Sequence, residues 1–215
     1  MNFKNGIIYQ GEFNCNIIEG EGKLTWTNSA VYEGHFMKGV RNGFGKYYNP
    51  VQQITYEGGW VDGKMDGTGK LKLNDESVYE GEFNKGFKHG QGKIEYPSGN
   101  FYNGVWRFNK KEGYGVMDWV DQKERYSGEW VNNQAQGVGS LEWLEDKGMT
   151  KIMRNRYSGE FYEGKRHGLG VFYYANGAIY QGEFKDNQKH GFGNYTDEIG
   201  VLTVAYFEYD RIVKI

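Results

Sequence analysis

Aromatic and polar residues alternate along this chain in short runs that return at a fixed interval. The run is Tyr-x-Gly-x-Phe or Tyr-x-Gly-x-Trp, and it begins at Tyr9, Tyr32, Tyr56, Tyr79, Tyr102, Tyr126, Tyr157 and Tyr180. Alternate residues of an extended chain share one face, so the tyrosine, the glycine and the second aromatic face the same way. Between them stand mostly polar residues such as Gln10 and Glu12, Glu80 and Glu82, or Gln181 and Glu183. The pattern predicts a half-buried β-strand at each occurrence.

The tyrosines are separated by 23, 24, 23, 23, 24, 31 and 23 residues. Counting each tyrosine as position 0, a Gly-x-Gly stands at positions 11 and 13 of every repeat, from Gly20 and Gly22 to Gly191 and Gly193. Position 7 is always Gly or Asn: Asn16, Gly39, Gly63, Gly86, Asn109, Asn133, Gly164 and Asn187. These residues tolerate positive φ best, which predicts a hairpin turn there. An apolar residue follows at position 15 (Leu24, Tyr47, Leu71, Ile94, Met117, Leu141, Phe172, Tyr195). A simple hairpin register pairs position 4 with 11, 2 with 13 and 0 with 15. Glycine in a strand interior weakens it unless another group needs the space, so an aromatic ring is expected to lie flat over these glycines.

Turn signals such as Pro97-Ser98-Gly99-Asn100 and Ala175-Asn176-Gly177-Ala178 join one hairpin to the next. The expected fold is all-β: an elongated, twisted, single antiparallel sheet of consecutive hairpins, about sixteen strands by this count. Residues 1–195 hold eight repeats, with an insertion at 145–156. Residues 196–215 lose the glycines, and Val201 to Phe207 reads as a strand. It is expected to close the sheet edge as a degenerate capping unit, the alternative being pairing with a partner strand.

Composition narrows the chemistry. Thirty-four glycines rise together with 17% aromatics, which argues for glycine placed for geometry rather than disorder. A net charge of −2 with interspersed signs gives no basic stripe for nucleic acid. One cysteine, Cys15, cannot form an intrachain disulfide, and no apolar run approaches a membrane span; a soluble, intracellular protein is expected. His89, His167 and His190 share one repeat position, and since even adjacent repeats stand about 10 Å apart along the sheet, they are too far apart to share a metal ion. Gly-x-Gly lacks the Gly-Lys-Ser/Thr continuation of a phosphate loop, and no nucleophile–base pair stands out. No enzyme activity, catalytic residue, metal ligand or cofactor is expected.

The unit Tyr-Glu-Gly-Glu-Phe followed by Gly-x-x-His-Gly-x-Gly, as from Tyr79 to Gly92, resembles the MORN repeat, and the resemblance covers residues 6–195. A narrower likeness lies in the second half. The order Met117-Asp118-Trp119, Tyr126-Ser127-Gly128-Glu129-Trp130, one lengthening before Tyr157, then Gly164 to Gly170 and Asn187 to Gly191, is similar to the radial spoke head protein 10 family. That resemblance implies a non-catalytic structural subunit of the radial spoke head in the ciliary or flagellar axoneme, supporting motility. It implies cytoplasmic and cytoskeletal localisation. Its partners would be other spoke head and neck subunits, a second MORN spoke-head protein among them, and indirectly the central-pair apparatus.

Two surfaces are candidate partner sites. Apolar residues at position 12, Phe44, Tyr114, Leu169 and Phe192, fall on the nominally wet face, either as a contact surface or through partial burial by curvature. The insertion carries Lys147, Lys151, Arg154 and Arg156 and reads either as a docking element or as a solvated loop. An alternative function is a scaffold binding acidic phospholipids through the position-14 row Lys23, Lys46, Lys70 and Lys93.

Overall fold

A computed structural model describes residues 1–147 and 150–214. Eighteen strands, from Ile8–Asn14 to Arg211–Lys214, form one antiparallel sheet in sequence order, and no helix occurs among the described residues. Two compact units divide the chain: residues 1–97 with 105–109, and residues 98–104 with 110–215.

Each hairpin turns through two residues of positive φ. Position 7 has φ of 63 to 92°, and position 6, which is Cys15, Lys38, Asp62, Lys85, Phe108, Asn132, Glu163 and Asp186 in turn, has φ of 48 to 51°. Two left-handed central residues define the turn whose twist matches that of the flanking strands. The N–H of position 7 then donates to the carbonyl of position 9 in the preceding repeat, as Gly39 does to Ile18 and Asn187 to Arg166 at 2.8 and 3.0 Å. Successive turns are thereby stitched together.

The expected register holds for positions 0 and 2 but not for 4. Within a repeat, Tyr9 pairs with Leu24 and Gly11 with Gly22, and then the register slips so that Phe13 faces Ile18 rather than Gly20. The same slip recurs inside every hairpin whose register is described. Position 11 is instead opposite position 4 of the next repeat, as in Gly20 with Phe36 and Gly168 with Phe184. The cause is a bulge at position 11, where glycine takes φ between 60 and 80° throughout.

The core is built of rings lying on backbone. All eight position-0 tyrosines are at most 1% exposed. Each ring spans the glycines at positions 2 and 13, where an added Cβ would stand less than 3.0 Å from the tyrosine or facing backbone. The hydroxyl donates to the carbonyl of position 3 in its own strand, at 2.9 Å from Tyr32 to His35 and from Tyr180 to Glu183. In the first unit the rings form an unbroken edge-to-face chain from Phe13 through Tyr9, Phe36, Tyr32, Trp60 and onward to Trp106, with centroids 5.1 to 5.4 Å apart. The second unit carries an equivalent chain from Tyr102 and Trp130 to Tyr180 and Phe207 at 4.8 to 5.3 Å. Such pairs add about 0.5–1.5 kcal/mol each beyond area burial.

The C-terminal strand Leu202–Glu208 continues this logic with one change. Thr203 stands at position 0 and Ala205 at position 2, facing Gly193. With no tyrosine ring to accommodate, alanine fits and is 2% exposed. Phe207 ends the ring chain, and Tyr209 and Asp210 repeat the two-residue left-handed turn into Arg211–Lys214.

The lengthened repeat is strand, not loop. Gln134–Lys147 and Thr150–Tyr162 are 14 and 13 residues long and pair from Gly137 with Phe161 to Lys147 with Thr150. Period-2 polarity is weak in this segment, which hid the pairing from the sequence pattern.

Candidate functional site

Two rows of side chains run across the strands on the face opposite the rings. The first is made of positions 1 and 14. In the first unit it alternates sign: Lys23, Glu33, Lys46, Glu57, Lys70 and Glu80 are successive cross-strand partners. Ion pairs at 3.5, 3.1 and 3.5 Å join Lys23 to Glu33, Lys46 to Glu57 and Lys70 to Glu80, and Lys93 pairs with Glu95. The lysine row that the phospholipid alternative requires is therefore matched by glutamates and presents no concentrated positive charge. In the second unit the same row is uncharged, running Val116, Ser127, Ser140, Ser158, Val171, Gln181, Asn194, Val204.

The second row is made of positions 12 and 3. Phe44, Tyr114, Leu169 and Phe192 are 59, 62, 63 and 65% exposed, so curvature does not bury them. Val138 joins them at 60%, and Phe192 meets Tyr206 edge-to-face at 5.1 Å. Between rows one and two of the second unit lies a trough of about 490 Å³, floored by Gly159, Gly170, Gly182 and Gly193 and edged by Leu169 and Phe192. The glycines that make room for tyrosine on one face leave bare backbone on the other.

Position 3 has a structural duty that the wet-face reading missed. Glu82, Glu160 and Glu183 accept the bulge N–H of Gln91, Leu169 and Phe192 at 2.8, 3.2 and 3.3 Å. Recurrence of glutamate exactly three residues after tyrosine was the available signal. Position 9 was also missed. Arg41 lies over the Trp60 ring at 4.2 Å, Lys88 over Trp106 at 4.7 Å and Lys111 over Trp130 at 5.0 Å. Arg166 is 5.4 Å from both Trp143 and Phe172. These charged head groups lie over the aromatic face, and burial pushes Arg41, Lys88 and Arg166 below their usual pKa. Burial likewise raises the Tyr32, Tyr56 and Tyr180 hydroxyls to about 12.

In the lengthened hairpin, Arg154 pairs with Glu145 at 3.4 Å and Arg156 stacks 4.4 Å over Tyr173. The side chains of Lys147 and Lys151 lie outside the described residues. Ile152 and Met153 are 40 and 51% exposed on that hairpin. Among the described residues no cluster of three His, Cys, Asp or Glu converges as metal ligands.

Hairpins of one repeated length, each folding its aromatic row onto its own glycines, define a β-repeat scaffold. The MORN repeat model matches residues 9–31, 32–51, 56–78, 79–101, 102–123, 126–143, 157–179 and 180–201, and the chain belongs to the MORN-repeat family. MORN-repeat arrays are in general non-enzymatic repeat scaffolds. Among solved structures it is similar to the SAS-4 (dCPAP) TCP domain of Drosophila melanogaster in complex with a proline-rich motif of Ana2 (dSTIL). Identity is 8%, covering 87% of this chain and 90% of that one, with a TM-score of 0.46. It is also similar to the TCP10 domain of Danio rerio CPAP in complex with a STIL peptide, at 14% identity over 96% and 92% of the two chains and a TM-score of 0.33. Neither likeness is strong enough to bear on what this chain binds.

Proposed function

We propose that this MORN array is a docking subunit of the radial spoke head in the ciliary axoneme, where it supports motility without catalysis. The observation that carries the reading is the order of its eight repeats with a single lengthened one, the hairpin Gln134–Lys147 and Thr150–Tyr162. That order resembles the radial spoke head protein 10 family. Its partners on this reading are other spoke head and neck subunits, including a second MORN spoke-head protein, and indirectly the central-pair apparatus. A repeat array suits this role because it presents long rows of side chains at fixed spacing.

The test is to express the tagged protein in a ciliated cell and extract with detergent. Axonemal signal that survives extraction is expected. Signal at the plasma membrane that detergent removes would overturn the reading and favour the phospholipid scaffold.

A further inference from the structure

The second row differs in charge between the two units. In the first it mixes Glu21, His35, Phe44, Gly59, Thr68 and Glu82, with His35 lying 3.5 Å from Glu21. In the second it alternates one apolar residue with one carboxylate: Tyr114 faces Glu129, Val138 faces Glu160, and Leu169 faces Glu183. Among the described residues, the ion pairs of the second unit, Lys123–Asp146, Arg125–Asp118, Arg154–Glu145 and Lys165–Asp186, leave all three glutamates out. Glu160 and Glu183 each spend one oxygen on a bulge N–H, and both residues are exposed. Beside them the first row is uncharged and the glycine-floored trough is open.

Carboxylates one repeat apart on one strip, alternating with exposed apolar side chains, match a ligand that carries positive charge and apolar groups at the same period. One repeat is two strands, or about 9.5 Å. Three residues of extended or polyproline-like peptide advance about 9.3–9.9 Å. A peptide laid across the strands therefore presents its side chains in step with the repeats every third residue. A second copy of this strip fits poorly, because it offers carboxylates and no positive charge to the three glutamates.

We infer that the strip from Tyr114 to Phe192 with its trough docks an extended basic–apolar segment of a partner protein. The inference rests on the docking role proposed above and names the face and the chemistry of its ligand.

Fluorescence anisotropy of labelled peptides of about 12 residues, four repeats of Leu-Ser-Lys, against the full chain tests it. The matched controls are Leu-Ser-Glu and Ser-Ser-Lys peptides. Protein variants are the triple Glu129→Gln/Glu160→Gln/Glu183→Gln, the double Leu169→Ser/Phe192→Ser, and Phe44→Ser in the first unit. Glutamine keeps an oxygen for the bulge N–H, so the triple variant removes charge while retaining the turn geometry; unchanged tryptophan emission verifies it. The Leu-Ser-Lys peptide is expected to bind, to weaken about tenfold in the triple variant and in high salt, to weaken in the double variant, and to be unaffected by Phe44→Ser. Equal binding of the Leu-Ser-Glu peptide, no loss in the triple variant, equal loss in Phe44→Ser, or no binding at millimolar peptide would each overturn the inference. Any of these with axonemal incorporation intact removes this face alone. Peptide binding without axonemal incorporation removes the spoke-head reading alone.

Discussion

Replacing Gly92 with alanine tests the central packing argument, because the effect should change sign with the residue at position 79. Gly92 does not have positive φ, so its backbone accepts alanine, but the new Cβ would stand less than 3.0 Å from the Tyr79 ring. That ring must lift. Lifting it strains the hydrogen bond from its hydroxyl to the Glu82 carbonyl, 2.9 Å, and the edge-to-face contacts with Phe83 and Trp106 at 5.1 and 5.4 Å. One hydrogen bond at about 1 kcal/mol and two ring pairs at about 0.5–1.5 kcal/mol each place the destabilisation at about 2–4 kcal/mol. In a Tyr79→Thr background the ring is gone, and Gly92→Ala should stabilise by about 0.5–1 kcal/mol, the ordinary gain of alanine over glycine in a strand. A related case stands in the ninth unit, where Thr203 replaces the tyrosine at position 0 and the glycine at position 2 gives way to buried Ala205. Urea unfolding of the wild type, both single variants and the double variant, followed by both circular dichroism and tryptophan fluorescence, measures the coupling. Additive effects, with Gly92→Ala equally harmful in both backgrounds, would refute the claim that tyrosine is what demands glycine here.

Three further outcomes follow from the same geometry. Glu160→Ala should lose about 1 kcal/mol by leaving the Leu169 bulge N–H without its acceptor, whereas Glu160→Gln should stay within about 0.5 kcal/mol; denaturation midpoints decide between them. At the turn, Asn133 has φ of 72°, so Asn133→Ala should cost about 1 kcal/mol while Asn133→Gly is near neutral in the same assay. The hydroxyls of Tyr32, Tyr56 and Tyr180, raised to about 12 by burial, stay protonated where an unfolded chain ionises near 10. The unfolded state then binds fewer protons, so stability is fully present below pH 10 and falls as pH rises toward 12. The share of tyrosinate absorbance that these buried hydroxyls contribute should therefore appear together with loss of the β-sheet circular dichroism signal, not ahead of it.

Much of the architecture was legible because it is local and periodic. Residue parity put tyrosine, glycine and the second aromatic on one face, and Asn or Gly at position 7 marked each turn; φ of 63 to 92° at those residues is the same fact in coordinates. The exposed row containing Phe44, Tyr114, Leu169 and Phe192 was legible for the same reason, since position 12 falls on the opposite face. The residues at position 6 were not, because Cys15, Lys38 and Phe108 share no chemistry; the turn imposes their left-handed φ on whatever stands there.

The repeat, its strands and turns, and the demand for glycine wherever a tyrosine lies down are all written in the local pattern of residues. Each of those follows from one residue and its neighbours along the chain. What faces what across strands is settled by long-range pairing in the folded sheet. The bulge at position 11 slips Phe13 onto Ile18 and hands Gly20 to Phe36. That slip sets position 9 opposite position 4 of its own repeat, as in Arg41 with Phe36, while the Arg41 guanidinium lies over Trp60 of the next repeat, and Glu160 accepts the N–H of Leu169. Cross-strand pairing likewise neutralises the lysines of the first unit with glutamates while leaving Glu129, Glu160 and Glu183 of the second beside exposed apolar side chains. Register is set by hydrogen-bonded partners many residues away, and a shift of one or two positions reassigns every such neighbour while leaving the sequence pattern unchanged.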